Sequence, residues 1–156
     1  MVIQRWQSLL LLIAAAVMGV FSFLSLGEVQ LPEYTLNLTA LGFSIEGESA
    51  TNATSGYYIS TVPFFVISLL SAIIPLINIF FFKNLPLQKK MCLIECLFLV
   101  VVIVIAGCEG YSMISGGEVS WSTMIVAPFL ALIATAMAYS RISADHRLLK
   151  SVDRLR

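Results

Sequence analysis

Four long apolar runs, at residues 6–26, 59–82, 91–113 and 121–140, constrain this chain more than any other feature. At about 1.5 Å of rise per residue, each can cross a hydrocarbon core of about 30 Å as a helix. A helix satisfies its own backbone hydrogen bonds in lipid, so the expected fold is an all-α membrane protein built as a four-helix transmembrane bundle. Composition agrees, since only 12% of residues are charged and mean hydropathy is +0.95. In 156 residues the four spans leave room for a single membrane domain, and the net charge of zero gives no basic field for nucleic acid. The second run carries Pro63 and Pro75 and the fourth carries Pro128, which membrane helices tolerate, with a kink expected near Pro75.

The charges orient the spans. Arg5 precedes the first run; Lys83, Lys89 and Lys90 separate the second from the third; Arg141, Arg147, Lys150, Arg154 and Arg156 follow the fourth. The segments 27–58 and 114–120 hold only acidic charges, among them Glu28, Glu33, Glu46, Glu48 and Glu118. Basic residues stay on the cytoplasmic side, so both termini and the 83–90 loop are expected there. A cleaved signal peptide is the competing reading of the first run, but its apolar stretch exceeds the usual h-region and no A-x-A site follows. Retained, the run offers Ala15 and Gly19 as a small-xxx-small pair, matched by Ala127, Ala131 and Thr135 in the fourth, a pattern that suits close helix packing.

The outer loop, residues 27–58, is too long for a tight turn. "TLNLTALGFSI" alternates with a strand period, "EGESATN" reads as a turn and "TSGYYIS" as a returning strand, giving a small extracytoplasmic β-hairpin between the first two helices.

The ends carry a resemblance. Ile3, Gln4, Arg5 and Gln7 at the start, and Asp153, Arg154, Leu155 and Arg156 at the close, together with four spans and a strand-like outer loop, resemble a bacterial integral-membrane family known as domain of unknown function 4293. The resemblance covers nearly the whole chain and implies the architecture and an inner-membrane home. It implies no reaction, substrate or active site.

Beyond residue 140 the chain reads as a cytoplasmic helical extension. Ile142, Leu148, Leu149, Val152 and Leu155 recur at helical spacing, leaving Arg147, Lys150, Arg154 and Arg156 for water or lipid headgroups. Two readings compete: a positively charged topology anchor, and a docking helix formed by Leu148, Val152, Asp153, Arg154 and Arg156.

Chemistry-bearing groups inside the spans are few. Glu95 is an intramembrane carboxylate and thus a functional candidate, but counted from Met91 it lies one turn deep, where an interfacial ion pair with Lys89 or Lys90 is the preferred reading. Glu109 is peripheral at the other end, and Asn78 suits an interhelical hydrogen bond. Cys92 and Cys96 share a face, Cys108 lies too far along the helix to reach them, and His146, the one histidine, falls in the tail as a surface residue. Neither a metal site nor a disulfide framework is expected. No GxSxG, HExxH or phosphate-binding glycine loop occurs, and no cofactor is expected. "NLT" at Asn37 and "NAT" at Asn52 are glycosylation sequons that matter only in a secretory pathway that uses them.

The expectation is therefore a multi-pass, non-enzymatic scaffold or accessory subunit. Its partners are the lipid bilayer and a membrane protein or a second copy of the chain. The alternative is an oligomeric small transporter or channel, which needs polar groups converging inside the membrane.

Overall fold

The computed structural model describes residues 2–30, 35–46, 62–82, 84–114 and 118–153. Four helices form: α1 (Val2–Phe23), α2 (Val62–Phe80), α3 (Leu85–Ile114) and α4 (Ala127–Asp153). All four are long and apolar enough to cross a membrane. They close into a ring in which α1 packs on α2 and α4, and α3 packs on the same two helices.

Local chemistry sets the helix starts. Pro63 and Pro128 are the second residues of α2 and α4, where a proline's missing N–H is one of the orphan donors anyway. Only Pro75 is interior, and α2 continues through it. Ser122 caps a short 3-10 turn (Thr123–Val126) that leads into α4, its hydroxyl accepting the Met124 amide at 3.3 Å. The α3 helix starts at Leu85, well before the expected 91, because the Asn84 carbonyl accepts the Gln88 amide at 2.9 Å and Pro86 fits the first turn. Lys89 and Lys90 are therefore helical, where a loop was expected.

The segment between α1 and α2, joined by a strand between α3 and α4, differs from the expected hairpin. It forms a four-stranded antiparallel sheet of order β3-β2-β1-β4, comprising β1 (Ser25–Gln30), β2 (Thr35–Thr39), β3 (Gly42–Glu46) and β4 (Glu118–Trp121). "TLNLTALGFSI" is two strands, folded at Ala40 and Leu41. Gly42 supplies the positive φ of 138°, and the Thr39 hydroxyl donates to the Gly42 carbonyl at 2.9 Å. The first span ends at Phe23, and Ser25 to Gln30, whose start looked like its tail, pairs with β2 and β4. A register shift between Ser25 and Gly27 makes Leu26 the extra residue of a bulge, and Leu26 and Val29 both end buried. The short turn expected at 114–120 holds β4. The proposed returning strand "TSGYYIS" and the "EGESATN" turn after Glu46 lie outside the described residues.

Two apolar clusters fill the bundle. One unites Met18, Phe21, Phe64, Leu99, Val102 and Ala106 with the sheet residues Leu26, Val29 and Leu38 and the turn residue Ala40, so the sheet caps the bundle end that carries it. Phe21 and Phe64 meet edge to face at 6.2 Å within it. The other cluster, Leu11, Leu85, Cys92, Ala138 and Ile142, fills the end where both termini lie. Along α4 the buried Ala127, Ala131, Ala134 and Ala138 let α1 and α3 approach closely. Ala131 and Thr135 behave as the small-residue pattern anticipates, and Ala15 is buried, but a Cβ at Gly19 would meet nothing within 4 Å.

Candidate functional site

Polar side chains collect on the seam between α2 and α3. On α2, Ser68, Ser71, Pro75 and Asn78 share the buried face. On α3, Gln88, Cys92 and Glu95 recur at intervals of four and three residues, the spacing of one helix face, and each is 1% exposed or less. The two faces meet at Asn78. Its Nδ2 donates to the Gln88 carbonyl at 3.3 Å and to Cys92 Sγ at 3.1 Å, while Gln88 Nε2 approaches the Asn78 carbonyl at 3.5 Å. Asn78 thus makes the interhelical bond expected of it, to the first turns of α3.

These bonds use the donor ends of both amides. The Asn78 Oδ1, the Gln88 Oε1 and both carboxyl oxygens of Glu95 are buried without a hydrogen-bond partner. An orphaned polar oxygen in an apolar interior costs about 1–3 kcal/mol, more for a charged group, so four on one seam need an explanation.

Glu95 departs most from expectation. The ion pair with Lys89 or Lys90 does not form: Lys89 Nζ lies 5.2 Å from the Tyr139 ring centroid, over its face, and the Glu95 oxygens have no partner. Glu95 is ten residues into α3, about 15 Å along its axis, between Cys92 of one apolar cluster and Leu99 of the other. Counted from Met91 the same residue looked superficial, because the basic pair was placed outside the helix.

Between α1 and α2, the Ser22 hydroxyl donates to the Met18 carbonyl at 2.9 Å and lies 3.2 Å from the Ser68 hydroxyl, linking the two helices. Ser71 donates to the Ile67 carbonyl at 3.1 Å, and on α4 Thr135 donates to the Ala131 carbonyl at 2.9 Å. Gln88, Ser68, Ser71 and Thr135 were not anticipated as a set. Their signal was present as helical spacing, but Gln88 sat in the expected loop, and serine or threonine within an apolar run carries little weight alone.

A second polar contact joins the ends of the chain. Buried Gln7 on α1 donates through Nε2 to Asp145 Oδ2 on α4, tying the extension of α4 to the first helix. Leu148 is 61% exposed beside exposed Arg147 and Lys150. Val152 and Asp153 continue the α4 backbone, whereas Arg154 and Arg156 lie outside the described residues. Cys92 is buried, Cys96 partly so and Cys108 exposed, all as free thiols. Among the described residues no group of three or more His, Cys, Asp or Glu side chains gathers as a metal site would require.

Comparison with curated proteins found no match for this chain. A family model does match, over residues 3–155, which takes in both the Gln7 end and the Asp145 extension. With essentially its whole length covered, the chain belongs to the family described as Domain of unknown function (DUF4293).

Proposed function

We propose that the protein is a non-enzymatic accessory subunit or scaffold of the bacterial inner membrane, with both termini cytoplasmic. The observation that carries this reading is the continuity of α4. Its 27 residues span about 40 Å, longer than a hydrocarbon core of about 30 Å, so its last turns project as a rigid helix. That projection is braced by the Gln7–Asp145 bond and presents Leu148 between Arg147 and Lys150. An apolar residue flanked by bases suits a membrane-protein partner, or a second copy, approached along an anionic leaflet. Trp6, Leu10, Met137 and Arg141 line a recess of about 390 Å³ near the same end, where an aromatic ring, a cation and an apolar floor match lipid chemistry.

The orientation is tested by fusions. A reporter active only in the cytoplasm should work after Arg156 and near Leu87, and fail near Ser49, because every basic residue flanks the first two sites' side. Inversion at any one site breaks the topology.

The docking role is tested on the tail. Leu148→Asp combined with Val152→Asp should remove a stoichiometric partner from the protein purified in mild detergent, at unchanged abundance and orientation. Deleting residues 144–156 should do the same. An unchanged set of bound proteins in both variants reduces the tail to a topology anchor.

The transporter reading keeps one supporting observation, the buried orphan carboxyl of Glu95.

A further inference from the structure

We propose that Glu95 is a reversible proton-binding site, its protonated carboxyl donating to the backbone carbonyl that Pro75 leaves without an amide donor on the facing helix. The starting point is the pair of orphaned carboxyl oxygens on a residue 1% exposed. Their chemistry selects the occupant. The neighbouring orphans, Asn78 Oδ1 and Gln88 Oε1, are also acceptors, so the seam lacks donors and has acceptors in excess. A proton bound to Glu95 converts one acceptor oxygen into a donor.

The acceptor for that new O–H is built into α2. Proline has no N–H, so Pro75 leaves the Ser71 carbonyl, four residues earlier, without its helical partner. Position follows from the antiparallel run of α2 and α3. Asn78 bonds Cys92; three residues onward along α3 is Glu95, and three residues back along α2 is Pro75. The Ser71 carbonyl points along α2 toward Pro75, and both residues are on the buried face. An orphan carboxyl and an orphan carbonyl at one level of a bundle satisfy each other when one proton is added.

The fully buried positions of α1, α2 and α4 carry no ionisable side chain among the described residues. On α3 the ionisable neighbours are the thiols of Cys92 and Cys96, and Lys89 is drawn away over Tyr139 of α4. The step is a proton transfer from solvent: a carboxylate oxygen of Glu95 forms one O–H bond as one O–H bond of a hydronium ion breaks, and the hydronium leaves as water. This inference goes beyond the accessory role and needs no partner, so its failure leaves the tail experiments untouched.

Infrared difference spectroscopy on the purified full-length protein in lipid tests it. Stepping the pH should reveal a carboxylic C=O stretching band that titrates in the unmodified protein, disappears in Glu95→Gln, and persists in Glu109→Gln. Pro75→Ala restores an amide donor to the Ser71 carbonyl, and should shift the frequency of the Glu95 band. A carboxyl band that does not change with pH in the unmodified protein overturns the proposal without reliance on any variant. The other Asp and Glu carboxyls titrate as well, so the assignment is read from the difference between the unmodified protein and Glu95→Gln: a difference that contains no titrating carboxyl band overturns the assignment, and an unshifted band in Pro75→Ala overturns the acceptor.

Discussion

Leu99→Ala should lower the stability of the bundle by about 2 kcal/mol, roughly thirtyfold in the folding equilibrium, whereas Leu97→Ala should change it by under about 0.5 kcal/mol. The two leucines are two residues apart on α3, and composition gives no reason to separate them. Leu99 is fully buried in the cluster that also holds Met18, Val102 and three alanines of α4, while Leu97 is 61% exposed. In a soluble core, leucine truncation costs about 2–5 kcal/mol, part from transfer out of water and part from the cavity left behind. A bilayer removes most of the first part, since lipid tails are as apolar as leucine. The cavity part survives because the packed helices cannot collapse fully, which is why the lower end of the range is expected. Unfolding by denaturing detergent, followed by circular dichroism in mixed micelles, measures both variants. Equal losses for the two would mean that α3 does not present the Leu99 face to the bundle.

The spans were legible because lipid imposes a crude and unforgiving pattern: twenty apolar residues with charges confined to the flanks. The same crudeness misplaced their ends. Lys89 and Lys90 look like loop residues, yet a lysine can stay within a helix while its long stem carries the ammonium elsewhere, as Lys89 does over Tyr139. That single error propagated to the site. With α3 beginning at Leu85, Glu95 moves from the first turn to the third, and the basic pair no longer marks its depth. Gln88 and Asn78 then join it on one seam. The sheet was half legible. Alternation in "TLNLT" announced a strand, but β1 is disguised as the end of a span and β4 as a tight turn. Neither is a strand on its own account; β1 becomes one by pairing on both sides, which local sequence cannot report.

That pairing depends on a joint whose disruption should be the other large effect. Trp121, the last residue of β4, sits opposite Gly27 of β1 in the sheet and against Gly110 near the end of α3. A side-chain carbon at Gly110 would fall 2.9 Å from the indole Cη2 and 3.1 Å from Cζ3; at Gly27 it would fall 3.3 Å from the Ser120 carbonyl oxygen and 3.4 Å from indole Cε3. The ring therefore fills a slot between two glycines, one on the sheet and one on the bundle. Gly110→Leu closes the slot from the helix side. Trp121 is 43% exposed, so the indole has an escape into its surroundings, and the cost is that of losing its contacts and loosening β4 rather than of compressing a rigid core. Overpacking of this kind costs about 1–3 kcal/mol, and the upper half is expected because β4 is only four residues long. In a Trp6→Phe background Trp121 is the sole tryptophan, so its emission should shift to longer wavelength in Gly110→Leu as the ring leaves the slot. Gly107→Leu, one turn away where an added Cβ meets nothing within 4 Å, should leave the emission unchanged and should not lower stability. A red shift in both variants, or in neither, would show that the sheet does not rest on α3 through this ring.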